Sequence, residues 1–209
     1  MTETTPANGP TTEVLFFDGF DDLDAVAPYE ILAAAGFPVR AVSFSAPPGT
    51  VTSAHGLRVD VDGPLGETPQ LLVIPGGGWL DGARGGVRAM AQGELPVHLV
   101  RLHGQGTVLA SVCTGAMVLA AAGLLRGRAA ITHHSAVDDL ARAGAEVRRD
   151  ARVVDGGDLV TCGGPTAGID LSLHLVERFC GPAAAQAGAQ RIEHERVGPI
   201  VMSAAVRAA

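Results

Sequence analysis

The sequence predicts one α/β domain whose sheet is largely parallel and is covered by helices on both faces. Short apolar runs, typical of buried strands, alternate along the chain with longer stretches in which apolar residues recur at helical spacing. Strands that are apolar on both faces are typical of parallel sheets, and successive parallel strands need helical crossovers. The length of 209 residues lies below the roughly 250–300 residues at which a chain divides into several cores.

Apolar runs and turn residues predict the strands in order. EVLFF, RAVSFSA, TVLASV and AAITHH are predicted as strands, and LLVIPGGG as a buried strand that runs into a glycine turn. Two further segments contain turn residues between apolar runs and are predicted to be hairpins, the second turning at Asp155-Gly156-Gly157. The strands are expected at 13–17, 40–46, the start of 71–78, 107–112 and 129–134, and the hairpins at 51–63 and 146–164.

Helical spacing of apolar residues predicts the connections. Gly36 is expected to cap the first helix, and Pro96 is a point at which the second can break. Ser135 and Asp138 form a capping-box pattern at the start of a later one. The helices are expected at 23–36, 83–104, 114–125, 135–144, 166–181 and 182–195, within a domain of residues 13–195 that follows a disordered tail (1–12) and precedes a C-terminal extension (196–209).

Composition excludes several classes of function. The formal net charge is −7, and no run of basic residues is present, which argues against a nucleic-acid partner. All 15 basic residues are arginine, so Schiff-base catalysis and a P-loop lysine are excluded. The seven histidines show no metal-ligand spacing, and we expect no metal and no other cofactor.

Cysteine usage and hydropathy indicate where the protein works. The three cysteines form no Cys-x-x-Cys pair, and their odd number fits a reduced cytosolic protein. The first residues are polar and acidic, and no apolar run approaches the roughly 18–20 residues of a membrane helix. We expect a cytoplasmic protein with a small-molecule substrate and no membrane partner.

Cys113 stands where a predicted strand runs directly into a predicted helix. This is the layout of a nucleophile elbow, which needs small residues two positions before and after the nucleophile, here Ser111 and Gly115. The start of the following helix is expected to favour the thiolate. A small buried cysteine in an apolar strand is the alternative explanation.

Two other segments are expected at the same edge of the sheet, because the carboxyl ends of parallel strands share one edge. Gly76 and Gly77 follow a strand, and their N–H groups can approach a reacting atom as an oxyanion hole does, although a plain turn has the same glycines. Asp24 follows the first strand and lies inside an apolar-periodic stretch. Its pKa is expected to be raised by burial and by a nearby thiolate, which suits proton transfer. Asp21 and Asp22 are explained by the helix start alone.

Together these segments resemble the ThiJ/PfpI superfamily, and within it the isonitrile hydratases. The stretches that carry the resemblance span nearly the whole chain: 24–32, 74–77, 111–127, 131–133, 161–170 and 189–193. The resemblance implies a flavodoxin-like sandwich that forms a homodimer without a metal or organic cofactor. The sequence departs from the hydratase branch at His134, where a tryptophan is common, and in the ending Glu193-His-Glu-Arg-Val-Gly-Pro-Ile.

The resemblance also implies roles for individual residues. Cys113 matches the nucleophile, Asp24 the acidic residue that contacts it, and Thr114 a residue whose N–H and hydroxyl face the site. Gly77 matches the backbone oxyanion donor, and His133 stands where many relatives keep a histidine. His133 can instead be structural.

Trp79 follows the oxyanion glycines, and it either lines the substrate pocket or only packs against the core.

The activity that the resemblance implies is addition of water to an isonitrile through a cysteine thioimidate. The alternatives are a glyoxalase-like or deglycase-like stress protein and a redox sensor that oxidises Cys113.

Overall fold

The computed structural model describes residues 9–44, 49–80 and 85–203 of the chain. Most of the expected N-terminal tail lies outside the described residues, as do the end of the strand expected at 40–46, the start of the helix expected at 83–104 and the end of the C-terminal extension. No helix in the described part is long and apolar enough to cross a membrane.

An eight-stranded sheet forms the centre of the molecule. The strands of the described residues are β1 Thr12–Phe16, β2 Val39–Ser43, β3 Thr50–Thr52, β4 Arg58–Asp60, β5 Gly63–Pro64, β6 Leu71–Ile74, β7 Val108–Ser111, β8 Ala129–Ala130, β9 Glu146–Val147, β10 Val153–Asp155, β11 Leu159–Cys162 and β12 Ile200–Met202. The main sheet has the order β12-β10-β11-β7-β6-β1-β2-β5, and its pairs are parallel except for β10 with β11. This confirms the expected α/β, flavodoxin-like arrangement.

Two groups of helices cover this sheet. The helices are α1 Asp22–Ala34, α2 Gly86–Gln92, α3 Leu95–Gly104, α4 Ala116–Ala121, α5 Val137–Arg142, α6 Ala167–Cys180 and α7 Pro182–Arg191. Helix α6 packs against α1 and α7, while α4 packs against α2, α3 and α5. The strands between them are almost entirely buried, as their uninterrupted apolar runs predict.

Several local predictions are confirmed. Strands β3 and β4 form one expected hairpin, and β10 and β11 form the other. The segment expected to be helical at 83–104 breaks at Gly93 and Glu94, with Pro96 in the first turn of α3. Gly36 follows the C-cap of α1 with φ +88°, a conformation that glycine adopts without strain.

The prediction that Ser135 caps a helix is wrong. Ser135 lies inside a short 3-10 turn, and α5 begins only at Val137. The Ser135 N–H donates to His133 Nδ1, and its hydroxyl lies 2.8 Å from the same nitrogen. His133 therefore takes the capping role, which a capping-box pattern cannot reveal because that pattern has Ser or Thr, not histidine, at the capping position.

The strand expected at 129–134 is shorter than predicted. Only Ala129 and Ala130 are extended, and they pair with β9 outside the main sheet. The chain then turns towards the elbow, where the Ile131 N–H donates to Thr161 Oγ1 and the Thr132 hydroxyl donates to the Cys113 carbonyl. These hydrogen bonds replace strand pairing.

The C-terminal extension contributes an edge strand that the sequence did not predict. Strand β12 pairs in parallel with β10, and two N–H groups, those of Arg152 and Val153, donate to the Pro199 carbonyl. Three residues without alternating polarity give no strand signal. Pairing with β10 provides the backbone partners that the segment needs.

Candidate active site

Four adjacent strands end at one place and bring the expected site residues together. Strand β1 leads to Asp24, β6 to Gly76 and Gly77, β7 to Cys113, and β11 to a pair of glycines at 163 and 164. These strands are neighbours in the order β11-β7-β6-β1. The carboxyl edge of a parallel sheet is where sites assemble, and this edge holds the groups described below.

Cys113 occupies a tight turn between β7 and α4. Its φ is +55°, an uncommon value for a residue other than glycine, and its N–H donates to the Gly163 carbonyl at 3.0 Å. Gly115 explains the need for a small residue after the cysteine, because a Cβ there would lie 2.3 Å from the carbonyl oxygen of Ile74. Cys113 is 8% exposed, so the turn leaves only a small part of this residue at the surface.

Asp24 is held in place by reciprocal backbone contacts. Asp21 caps α1, its side chain accepting the Leu23 N–H, and its own N–H donates to the Gly76 carbonyl at 2.9 Å. The Gly76 N–H in turn donates to Asp24 Oδ2 at 3.0 Å. Asp24 is fully buried, and its other oxygen, Oδ1, has no hydrogen-bond partner of ordinary geometry among the described residues.

Asp24 and Cys113 titrate as a coupled pair. Burial, and to a smaller extent the charge of Asp21, raises the pKa of Asp24 to about 7. Burial and the charge of Asp24 raise the pKa of the Cys113 thiol, although the Thr114 N–H favours the thiolate. The N–H group at the helix start favours the thiolate, as expected, but burial and the charge of Asp24 outweigh it. Because burial and like charge oppose ionisation of both groups at once, the pair holds two protons below about pH 7 and one proton above it.

Thr114, Gly76 and Gly77 lie next to Asp24 and are joined to it and to one another by hydrogen bonds. The Gly77 N–H donates to Thr114 Oγ1 at 3.0 Å, and the Gly76 N–H is used by Asp24. Only glycine fits at position 76, since a Cβ there would lie 2.6 Å from Asp24 Oδ2 and 2.8 Å from the Thr114 nitrogen. In this structure both N–H groups position catalytic candidates, and Gly77 can serve an oxyanion once the Thr114 hydroxyl turns away.

Two glycines to which the sequence analysis assigned no role complete the surroundings of the sulfur. A Cβ on Gly164 would lie 2.3 Å from Cys113 Cβ and 2.6 Å from its Sγ, so the Gly164 backbone lies directly against the side chain. Gly163 accepts the Cys113 N–H. The sequence feature that could have indicated this role is the pair of glycines at 163 and 164, directly after the buried strand that ends at Cys162.

His133 and Trp79 make other contacts. Among the described residues, no hydrogen bond joins His133 to Cys113; its ring contacts Ser135 and lies 4.0 Å from that of His134. Burial lowers the pKa of His133, so it stays neutral at neutral pH.

The Trp79 indole donates to Asp139 at 2.7 Å, and the Arg88 guanidinium lies over its ring. These contacts correspond to the packing alternative for Trp79 and do not bring it to the thiol. Within residues 9–44, 49–80 and 85–203, no cluster of three or more His, Cys, Asp or Glu side chains is arranged to hold a metal ion.

The raised pKa of Asp24 predicts an unusual dependence of stability on pH. Between about pH 4 and pH 7 the folded protein holds a proton that the unfolded chain has released, so the free energy of unfolding falls as pH rises. Asn at position 24 keeps an acceptor for the Gly76 N–H without the charge. We expect Asp24→Asn to be more stable than wild type above pH 7, by a few kcal/mol at most. The fall in the free energy of unfolding between about pH 4 and pH 7 should be absent from this variant.

Urea denaturation of both proteins at about pH 5 and pH 8 measures this effect. Two results would contradict a buried carboxyl with a raised pKa at this site. One is a wild-type protein that gains stability from about pH 5 to pH 8, and the other is an Asp24→Asn variant that is less stable than wild type at about pH 8.

Comparisons with known proteins bear on the same residues. Residues 12–178 match the model of the DJ-1/PfpI family. An isonitrile hydratase of Pseudomonas putida is 36% identical over 189 residues, which cover 88% of this chain and 78% of that protein. A deglycase of Pyrococcus horikoshii is 33% identical over 150 residues, covering 69% and 86%. The crystal structure of a ThiJ/PfpI family protein from Pseudomonas syringae superposes with a TM-score of 0.79 at 27% identity, covering 94% of this chain and 80% of that one.

Proposed function

Because the chain belongs to the DJ-1/PfpI family and pairs a thiol with a buried carboxyl, we propose that it adds water to isonitriles. The observation that carries the proposal is the buried carboxyl of Asp24, which interacts with the Cys113 side chain and whose Oδ1 has no nitrogen or oxygen partner among the described residues. Such an oxygen is free to give or take a proton. The identity to an isonitrile hydratase, at 36% over most of both chains, supports this choice of substrate.

In the first step the Cys113 sulfur forms a bond to the terminal carbon of the isonitrile. The proton that the pair shares passes from Asp24 to that carbon, which gives a thioimidate, R–N=CH–S–Cys113. The thiol and the isonitrile together supply all of its atoms. This covalent step divides one difficult hydration into two easier ones.

In the second step water adds to the thioimidate carbon. Asp24, now ionised, removes a proton from the water as it attacks and passes this proton to the nitrogen, which gives R–NH–CH(OH)–S–Cys113. The hydroxyl proton of this intermediate returns to the Asp24–Cys113 pair as the sulfur leaves. The carbon–sulfur bond then breaks and releases the N-substituted formamide and the thiol. The Thr114 N–H, which favours negative charge on the sulfur, and the Gly77 N–H, once the Thr114 hydroxyl releases it, would stabilise charge in this step, an effect of about 3–4 kcal/mol per donor in other enzymes.

The test is incubation of the protein with n-butyl isonitrile, with N-butylformamide measured by mass spectrometry. We expect formamide in proportion to enzyme and time. Methylglyoxal serves as the second substrate, because the deglycase of Pyrococcus horikoshii, 33% identical, favours a reaction with carbonyl compounds as the other candidate. Lactate from methylglyoxal without formamide from the isonitrile would replace the hydratase proposal with that alternative.

A further inference from the structure

A cavity of about 510 Å³ adjoins the surroundings of Cys113. Three of its lining residues also contact the cysteine: Gly163 accepts the Cys113 N–H, Gly164 lies against its side chain, and the Thr132 hydroxyl donates to its carbonyl. The cavity and the thiol are therefore separated by no more than one residue. A substrate bound at the thiol and extending past Gly164, which has no side chain, enters this space.

The inner lining of the cavity is apolar. Its apolar members come from the turn after β8, from α5, from the segment before β10, from the start of α6 and from the segment before β12; they are Ile131, Val137, Ala151, Ala167 and Pro199. An alkyl or aryl chain is the group that gains from such a surface, at roughly 25 cal/mol for each Å² removed from water.

Arginine side chains also line this cavity, although the chain carries a net charge of −7. The Arg149 side chain is 65% exposed and has one ion pair, from its Nη2 to Asp138. Arg152 donates from Nε to Asp170 and from Nη2 to Thr166, which leaves its Nη1 without a hydrogen bond among the described residues.

The acidic side chain in the lining, Asp150, is paired with a third arginine and takes no N–H group from Arg149 or Arg152. Asp150 accepts two hydrogen bonds from Arg148, at 3.1 and 2.9 Å, so a cation that does not line the cavity already neutralises it. Arg149 and Arg152 line the cavity, each paired with a carboxylate outside the lining, Asp138 and Asp170, and each with further N–H groups that have no hydrogen-bond partner among the described residues. Guanidinium groups with free N–H donors bind carboxylates well.

We propose that this cavity binds the tail of an isonitrile that carries a carboxylate, with the apolar chain on the inner lining and the carboxylate on Arg149 and Arg152. This inference rests on the proposed isonitrile hydration and names its class of substrate. The reacting carbon stays at Cys113, and the carboxylate lies across Gly164 from it. A neutral isonitrile occupies the same apolar lining without the ionic contact.

The test compares 4-isocyanobutanoate with its methyl ester, two substrates that differ in the charge at one end. We expect wild-type kcat/KM to be about fivefold to tenfold higher for the acid than for the ester, the range for a hydrogen bond to a partly exposed charged group. Arg149→Gln should lower this ratio by about half or more, because Arg152 alone then binds the carboxylate. Arg142→Gln, which removes an arginine that lies outside this cavity, should leave the ratio as in wild type.

The outcomes separate the two proposals. Hydration of both compounds with equal kcat/KM, or a ratio that Arg149→Gln leaves unchanged, overturns the carboxylate site while isonitrile hydration stands. Hydration of neither compound, nor of n-butyl isonitrile, overturns isonitrile hydration and the substrate class with it. A wild-type preference for the acid that falls with added salt supports the ionic contact.

Discussion

Replacement of Cys113 by alanine is expected to abolish isonitrile hydration. The sulfur forms the covalent bond in the first step, and the other thiol at this edge of the sheet, that of Cys162 at the end of β11, is fully buried. Loss of a nucleophile in enzymes that act through one lowers kcat by about 10⁴-fold or more, down to the level that binding and electrostatics alone provide. Steady-state formation of N-butylformamide, followed at saturating isonitrile, measures the loss.

Cys180→Ala is the matched control. Cys180 lies at the end of α6, away from the elbow, and is only partly buried. It should retain wild-type kcat. Formamide production by Cys113→Ala at a rate close to that of wild type would show that the thiol takes no part in the reaction, and the mechanism would have to be abandoned.

Asp24→Asn is expected to lower kcat by about 10²–10⁴-fold, the contribution usual for a general acid and base. The amide keeps the contact with the Gly76 N–H, so the loss reports on the proton and not on the position of α1. Both steps are affected, because the carboxyl first gives a proton to carbon and then removes one from water.

Asp22→Asn provides the control on the same helix. Asp22 lies two residues before Asp24, and its side chain contacts His55. Removal of its charge should change kcat little. Near wild-type kcat in Asp24→Asn, or equal losses in the two variants, would contradict the assignment of proton transfer to Asp24.

Much of the fold and the location of the site follow from local patterns. Apolar runs alternating with helical spacing predict a parallel sheet, and such a sheet brings its strand ends to one edge. That rule alone places Cys113, Asp24 and Gly76 together, although they are far apart in the sequence. The small residue at position 115 is also predictable, since a strand that turns directly into a helix leaves no room for a side chain.

Other features depend on contacts that no local pattern encodes. Strand β12 exists because β10 offers it an edge, and His133 caps a turn because the chain folds back towards Cys113 there. The net pKa of the Cys113 thiol is a further example. The helix start is visible in the sequence, whereas the burial of the pair and the charge of Asp24, which outweigh it, are set by packing.

The central claim is that Cys113 and Asp24 share one proton. The most direct measurement is the rate of Cys113 alkylation by iodoacetamide as a function of pH, read by mass spectrometry in wild type and Asp24→Asn. In wild type we expect the rate to rise through about pH 7, where the pair loses its first proton, since Asp24 has a pKa of about 7. In Asp24→Asn this inflection should disappear, leaving a single rise at the pKa of the buried thiol. Superimposable profiles in the two proteins would contradict the shared proton and the mechanism built on it.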